Sequence, residues 1–503
     1  MKYFIIYALL GLTSVIVCAQ TLTQREIELA ASKQLPQAIV ELRQFLQLKN
    51  DGHYPDQIQQ NLKWCMESMK KRKFEARILD AENIPHVFAQ RIYNVKLPTV
   101  LVYLQIDGQP VDPVSWEQKD PFEAVLKQKV NERWEIIDWN LPYNPDSRIF
   151  ARSASDSKGP AIAFLSALDI LEAKGGKPQF NIKIIMDFQE EMGSPTLAAV
   201  VNQNKELLSA TYLLIMDGTR HISNLPTLNF GARGLAEVTL KVFGAKGDLH
   251  SGQYGNFAPN PVFKLAKLLA GMKDEEGRVL IPGFYEGVLL SEAEKAMINS
   301  VPESKEELMN TLGIAAHDQV GNTYQESLQY PSLNILGIKA ATIGKEANTV
   351  IPAEAIAELD MRLVPETPGE RQVGLLREYI RLQGFHFVKD TPTDEERKKY
   401  THLISMEYTL GSKPFRTDLN SPMGQWLGRA MDRTFGQGNY VKQRATGGSQ
   451  PIEPFISTLG IPAVSIRMPN PDNSIHAANE NIRMANFLEG IQMCLGILTQ
   501  KIN

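Results

Sequence analysis

The sequence predicts an α/β protein in two parts, a layered domain with a largely parallel sheet interrupted by a smaller α+β domain. Three observations carry this. From about residue 98, apolar strand-like runs alternate with stretches of helical periodicity, as crossover-connected sheets require. At Gly231 the order changes to strand, helix, strand, strand, helix, and after about Lys413 the first pattern returns. With 503 residues, the chain exceeds what a single ordinary core organises. Its 43% hydrophobic and 22% charged residues exclude a disordered or membrane-embedded chain. The 53 basic against 57 acidic residues leave no cationic surplus for phosphates, so no nucleic-acid partner is expected.

Taken in order, Lys2 precedes an apolar run over 3–17, and Val17-Cys18-Ala19 offers small residues for cleavage before Gln20. Residues 1–19 therefore read as a signal peptide, with an exported, periplasmic or secreted product. Lipid anchoring at Cys18 is disfavoured because Val15-Ile16-Val17 lacks the small residues usual before a lipoprotein cysteine. The run is short for a permanent span, and no transmembrane segment is expected in the mature chain. Cys65 and Cys494 are too few for a disulfide framework and read as buried small hydrophobes.

The first strand is expected over 99–106. A helix follows from about Pro160, with Phe164, Leu168 and Leu171 on one face and Gly175-Gly176 as its stop. Next come a strand over 180–188, a helix over 195–208 with Ser194 as its cap, and a strand over 211–216. In the interrupting part, strands are expected over 236–242, 333–338 and 355–363, with helices from Asn260 and Gly369. The last of these strands alternates Ala357, Leu359, Met361 and Leu363 against Glu358, Asp360 and Arg362, so one face packs and the other carries charge. The polar stretch 390–399 reads as a solvated loop. A helix over 422–435, a strand over 463–468 and a final helix bearing Met484, Phe487, Leu488, Ile491 and Leu495 on one stripe complete the chain.

Chemistry-bearing residues gather where strands end, the edge at which open α/β sheets place ligands. Asp107 follows the first strand, Glu190-Glu191 the second, and Asp217 the third. Asp156 sits in a turn before a helix, and His476 comes after the last strand. Singly, each has an ordinary reading as a turn residue, a helix cap or a solvated pair. Together, carboxylates and an imidazole converging from separate strand ends suit a zinc site.

Read in order, Tyr103-Leu104-Gln105-Ile106-Asp107-Gly108-Gln109-Pro110, Ala154-Ser155-Asp156-Ser157-Lys158-Gly159, Glu190-Glu191-Met192-Gly193-Ser194, Asp217, Asp248-Leu249-His250-Ser251-Gly252, Asn348-Thr349-Val350-Ile351-Pro352, Arg362-Leu363-Val364-Pro365, Gly447-Gly448-Ser449 and His476 form a series. It resembles the motif series of the carnosinase/aminoacylase-like dinuclear zinc metallopeptidases, from about residue 80 to the C-terminus. The resemblance implies a three-layer αβα zinc-peptidase catalytic domain, 20–228 and 412–503, with an inserted ferredoxin-like lid and dimerisation domain, 229–411. It also implies a homodimer and one or two zinc ions, with manganese or cobalt as alternatives at the weaker position.

By the same resemblance Asp156 is the bridging carboxylate, Glu191 and His476 complete one metal position, and Asp217 belongs to the other. Glu190 is the general base and Asp107 orients a ligating imidazole. His250 reaches into the partner's cleft to stabilise an oxyanion, and Thr349, Arg362 and Ser449 hold the substrate carboxylate. The peptide bond after Asp156 is implied to be cis. One departure bears on the metals: Gln105 stands where the family places its first histidine ligand, and an amide oxygen is the weaker donor. His86, the nearest upstream imidazole, reads as a loop residue. Ser153 replaces a glycine, and Ser157 a second acidic residue.

The expected function is metal-dependent hydrolysis of the amide bond of dipeptides or short peptides with a free carboxylate. An acyl-amino-acid deacylase would use the same residues, and Gln105 alone favours a catalytically impaired peptide- or metal-binding protein. A serine hydrolase is excluded by the lack of a GxSxG elbow and by adjacent His250 and Ser251, which cannot face one another.

Overall fold

Alternation along the central strands sets the layering. In the strand Thr99–Gln105, Val100, Val102 and Leu104 enter one apolar core while Leu101 and Tyr103 enter another. Successive strand side chains leave opposite faces, so this sheet is covered on both sides. The first core is closed by the helices Gln24–Leu46, Lys158–Ala173, Pro422–Phe435 and Met484–Leu498. Leu197, Val200 and Val201 of the helix Leu197–Gln203 and Phe455 of Glu453–Leu459 close the second. The result is the expected three-layer αβα arrangement. Trp426 anchors the first core, fully buried, edge-on to Phe180 with centroids 5.4 Å apart and stacked on Tyr212 at 5.7 Å.

This computed structural model describes residues 21–502, so the expected signal peptide and Cys18 lie outside the described residues. The main sheet has eight strands, ordered Glu75–Ala81, Ile84–Arg91, Asn181–Asp187, Thr99–Gln105, Tyr212–Ile215, Ala463–Arg467, Thr227–Asn229 and Val441–Gln443. Thr99–Gln105 is parallel to both neighbours, and Ala463–Arg467 joins Tyr212–Ile215 in parallel. These four strands end at one edge, which is why the loops carrying Asp107, Glu190-Glu191, Asp217 and His476 meet there.

A second sheet has five strands, ordered Ser332–Lys339, Glu354–Leu363, Gly234–Phe243, Leu403–Leu410 and His386–Phe387. The helices Pro261–Ala270 and Gly369–Leu382 cover one face through Leu265, Leu268, Leu376 and Ile380, against Ala357, Leu359, Met361 and Leu363. Asn260 and its side chain cap the first of these helices. Among the described residues no helix is long and apolar enough to cross a membrane. Cys65 and Cys494 are buried free thiols, and burial pushes the Cys65 thiol up to about 12.

Three local expectations change. The helix expected over 195–208 is two short helices, Leu197–Gln203 and Lys205–Leu208, and the Asn204 side chain bonds the Val200 carbonyl at the break. Ser194 is not its cap: its hydroxyl donates to Asp187 at 2.6 Å. The stretch 390–399 contains a helix, Asp394–Lys399, started by a reciprocal Thr393–Glu396 capping box. His86 is not in a loop but inside the strand Ile84–Arg91, fully buried with Nε2 3.5 Å from Asp187. The helices Gln24–Leu46 and Pro55–Lys71 and a four-stranded sheet closed by Asn481–Arg483 were not foreseen.

Candidate metal centre and active site

Asp156, Glu191 and His476 come together at the sheet edge, with one ligand atom from each lying within 4.8 Å of the others. His476 Nε2 lies 3.0 Å from Asp156 Oδ2 and 3.3 Å from Glu191 Oε2. The hydrogen bond to Asp156, then that to Glu191, pushes the imidazole up to about 10, so without a metal it carries a proton that a cation would displace.

Neighbouring groups fix each member. The turn before Asp156 wraps around Glu480, which is fully buried and accepts from the amides of Ser153 and Ser155 at 2.8 Å and of Asp156 at 2.9 Å. Arg152 pairs with Glu480 Oε2, the oxygen that also takes the Ser153 amide, at 2.8 Å. The Asp156–Ser157 peptide bond is cis, as the resemblance implied. Gly159 must be glycine, because a Cβ there would lie 2.1 Å from the Ala154 carbonyl oxygen.

Glu190 and Glu191 start a single 3-10 turn, Glu190–Met192, after the strand Asn181–Asp187. Asp107 accepts both their amides at 3.0 Å, one on each oxygen. It was expected to orient a ligating imidazole; its carboxylate here braces the glutamate turn, with Gln105 standing where that imidazole was expected. Burial and then the Asp187 charge push the Asp107 carboxyl well above its ordinary value. Gln109 donates to Glu191 Oε2 at 2.8 Å, steadying the outer ligand.

Among the described residues the Glu190 carboxylate has no hydrogen-bond partner of its own. Desolvation, followed by the charges of Asp217, Asp156, Glu191 and Asp107, pushes its carboxyl well above the ordinary range. That environment suits a group that takes up and releases a proton. Asp217 stands apart from the converging trio. Its Oδ1 lies 2.9 Å from the Ser157 hydroxyl and its Oδ2 accepts from Gln450 at 3.0 Å. Burial and then Asp156 push it up to about 6. Gln105 is buried with no hydrogen-bond partner for either amide atom, and His86 likewise has none for either ring nitrogen.

Of the remaining expected residues, Arg362 lies on the second sheet, His250 and Thr349 at a small two-stranded ladder beyond it, and Ser449 in the loop after Val441–Gln443. His250 and Thr349 are neighbours, because Leu249–His250 pairs with Val350–Ile351 and the Ser251 amide bonds the Thr349 carbonyl at 2.9 Å. Both are exposed, and among the described residues neither bonds the Asp156 cluster. Arg362 Nη1 lies 3.3 Å from Ser449 Oγ, joining the second sheet to that loop, while its Nε meets Asp360 at 3.1 Å.

A divalent ion fits this donor set: two carboxylate oxygens and an imidazole nitrogen converge, ringed by further carboxyls that repel one another. Residues 122–500 match peptidase family M20/M25/M40. The chain belongs to that family. This metallopeptidase is 26% identical over 436 residues to the Cys-Gly metallodipeptidase of Schizosaccharomyces pombe, covering 84% of this chain and 85% of that one. It is 28% identical over 407 residues to the human Beta-Ala-His dipeptidase, covering 78% and 73%. Its fold superimposes on an M20 family metallo-carboxypeptidase from Sulfolobus solfataricus with a TM-score of 0.73 at 27% identity, covering 92% of this chain and 98% of that one. The two curated relatives are named as dipeptidases and the solved structure as a carboxypeptidase, and peptides are the substrate class they imply.

Sequence reasoning about this M20 chain missed Glu480 and Gln450. Glu480 lies four residues beyond His476, a proximity that is a usable signal, but its partners at 152–156 are more than three hundred residues away.

Proposed function

We propose that the chain hydrolyses the amide bond of dipeptides or short peptides bearing a free carboxylate, using a divalent ion, zinc by its donor set, at Asp156, Glu191 and His476. The convergence of those three beside the proton-accepting Glu190 carries this reading. Such an ion, when bound, makes water a nucleophile near neutral pH and polarises the scissile carbonyl. Glu190 takes the proton from the attacking water and passes it to the leaving nitrogen as the C–N bond breaks, giving an amine and a carboxylate. Arg362, with Ser449 beside it, and Thr349 hold the free carboxylate of the substrate. His250 donates to the developing oxyanion.

Exposure of His250 and Thr349 at the lid tip supports their action in the cleft of a partner subunit, hence a homodimer. The working division is a catalytic domain of 20–228 and 412–503 and a lid of 229–411. Export is proposed from the apolar N-terminal run alone.

A panel of unmodified dipeptides and N-acyl amino acids, assayed before chelation, after it, and after zinc is restored, tests this. Dipeptide turnover lost on chelation and regained with zinc is expected. Turnover untouched by thorough chelation would refute the metal reading, and a preference for N-acyl amino acids would make the enzyme a deacylase.

A further inference from the structure

Resting on that metallohydrolase reading, we infer that this chain holds a single ion, on the Oδ2 side of Asp156, and that a hydrogen-bonded group of Ser157, Asp217 and Gln450 stands where a second ion would need to be. The two oxygens of Asp156 face different partners. Oδ2 meets His476 at 3.0 Å, whereas Oδ1 accepts from the Ser157 hydroxyl at 3.0 Å. The same hydroxyl oxygen lies 2.9 Å from Asp217 Oδ1. Two carboxylates sharing a zinc ion would each place an oxygen about 2.0–2.2 Å from it. Here a neutral oxygen at hydrogen-bond distance from both links them.

The other oxygen of Asp217 is also engaged. Gln450 donates to it at 3.0 Å, and Gln450 is itself buried and fixed through its Oε1, which accepts from Ser465 at 3.1 Å. Among the described residues, neither the expected position nor the nearest upstream histidine puts an imidazole on this side. Gln105 occupies the strand end, with neither amide atom bonded to Asp156 or Asp217, and the buried His86 faces Asp187. The Oδ2 side, in contrast, supplies three protein ligands, the number that catalytic zinc sites use with one position left open. Asp217 is therefore a positioning residue that holds the Asp156 turn through Ser157, and not a ligand.

Cobalt(II) titration of the metal-stripped protein, read by visible absorption and by elemental analysis, tests this in the unaltered chain and in Asp217→Asn, Gln105→Ala and His476→Ala. The unaltered chain is expected to saturate at a single equivalent. Asp217→Asn and Gln105→Ala should give the same spectrum and end point, while His476→Ala should lose affinity by more than the roughly 10–100-fold that a supporting residue commands. A second equivalent with its own absorption, abolished by Asp217→Asn or Gln105→Ala, would overturn the single-ion inference and leave the metallohydrolase reading standing. No cobalt bound at all would overturn both.

Discussion

In the proposed reaction the sheet edge and the lid tip act on one substrate, but they are built in opposite ways. At the edge, the two carboxylate ligands are braced from behind: Glu480 holds the Asp156 turn, Asp107 the glutamate turn, and Gln109 the Glu191 carboxylate. At the tip, His250 belongs to a two-residue ladder that Thr349 adjoins, and among the described residues the His250 ring is held only by the Gly252 amide at 3.1 Å. The difference separates what must be organised before substrate arrives from what can be supplied later. A cation site needs its carboxylates held close despite their repulsion, which only a buried, hydrogen-bonded frame achieves. An oxyanion donor can be brought in by another subunit.

Variants at the two regions should therefore fail differently. The largest effect is expected at the edge, where His476→Ala should remove ion and turnover together; zinc content after gel filtration, measured beside kcat, checks this, and a full metal complement would reassign the ligand. At the tip, His250→Ala should lower kcat by about 10²–10³, the usual cost of an oxyanion donor, with zinc content unchanged. Mixing it with an inactive Glu190→Gln subunit should restore activity, since one cleft of the heterodimer has both groups. No recovery after verified exchange would place His250 in its own cleft.

Smaller effects belong to the frame. Glu480→Gln should weaken zinc binding by about 10–100-fold without altering any ligand, and isothermal titration would show it. Breaking the buried pair with Arg152 should also cost about 3–5 kcal/mol of stability, read from denaturant midpoints. The smallest change is expected for Thr393→Ala, which removes an exposed cap in the lid and should cost about 1 kcal/mol while leaving kcat and zinc content as they were.

Legibility in the sequence followed the range of the interactions involved. The apolar run over 99–106, which forms the strand Thr99–Gln105, and the helix over 422–435 could be read because their patterns are local. The ligands could be placed because parallel strands end at a common edge, and the motif order supplied their roles. Ser194 was misread since a serine before Pro195 has the form of a cap, whereas its hydroxyl is captured by Asp187 from the adjacent strand end. His86 was read as a loop residue, yet its strand pairs with Asn181–Asp187, a partner nearly a hundred residues along the chain. Glu480, Gln450 and the Ser157 hydroxyl depend on contacts 60 to 325 residues apart, which no local pattern reveals.

The most direct test of the proposed chemistry is Glu190→Gln, with dipeptide kcat and zinc stoichiometry measured on the same preparation. Removing the proton carrier but no ligand should lower kcat by about 10²–10⁴ while zinc content stays at the wild-type value. A variant that loses its zinc, or keeps its full kcat, would contradict the assignment of Glu190 as the base.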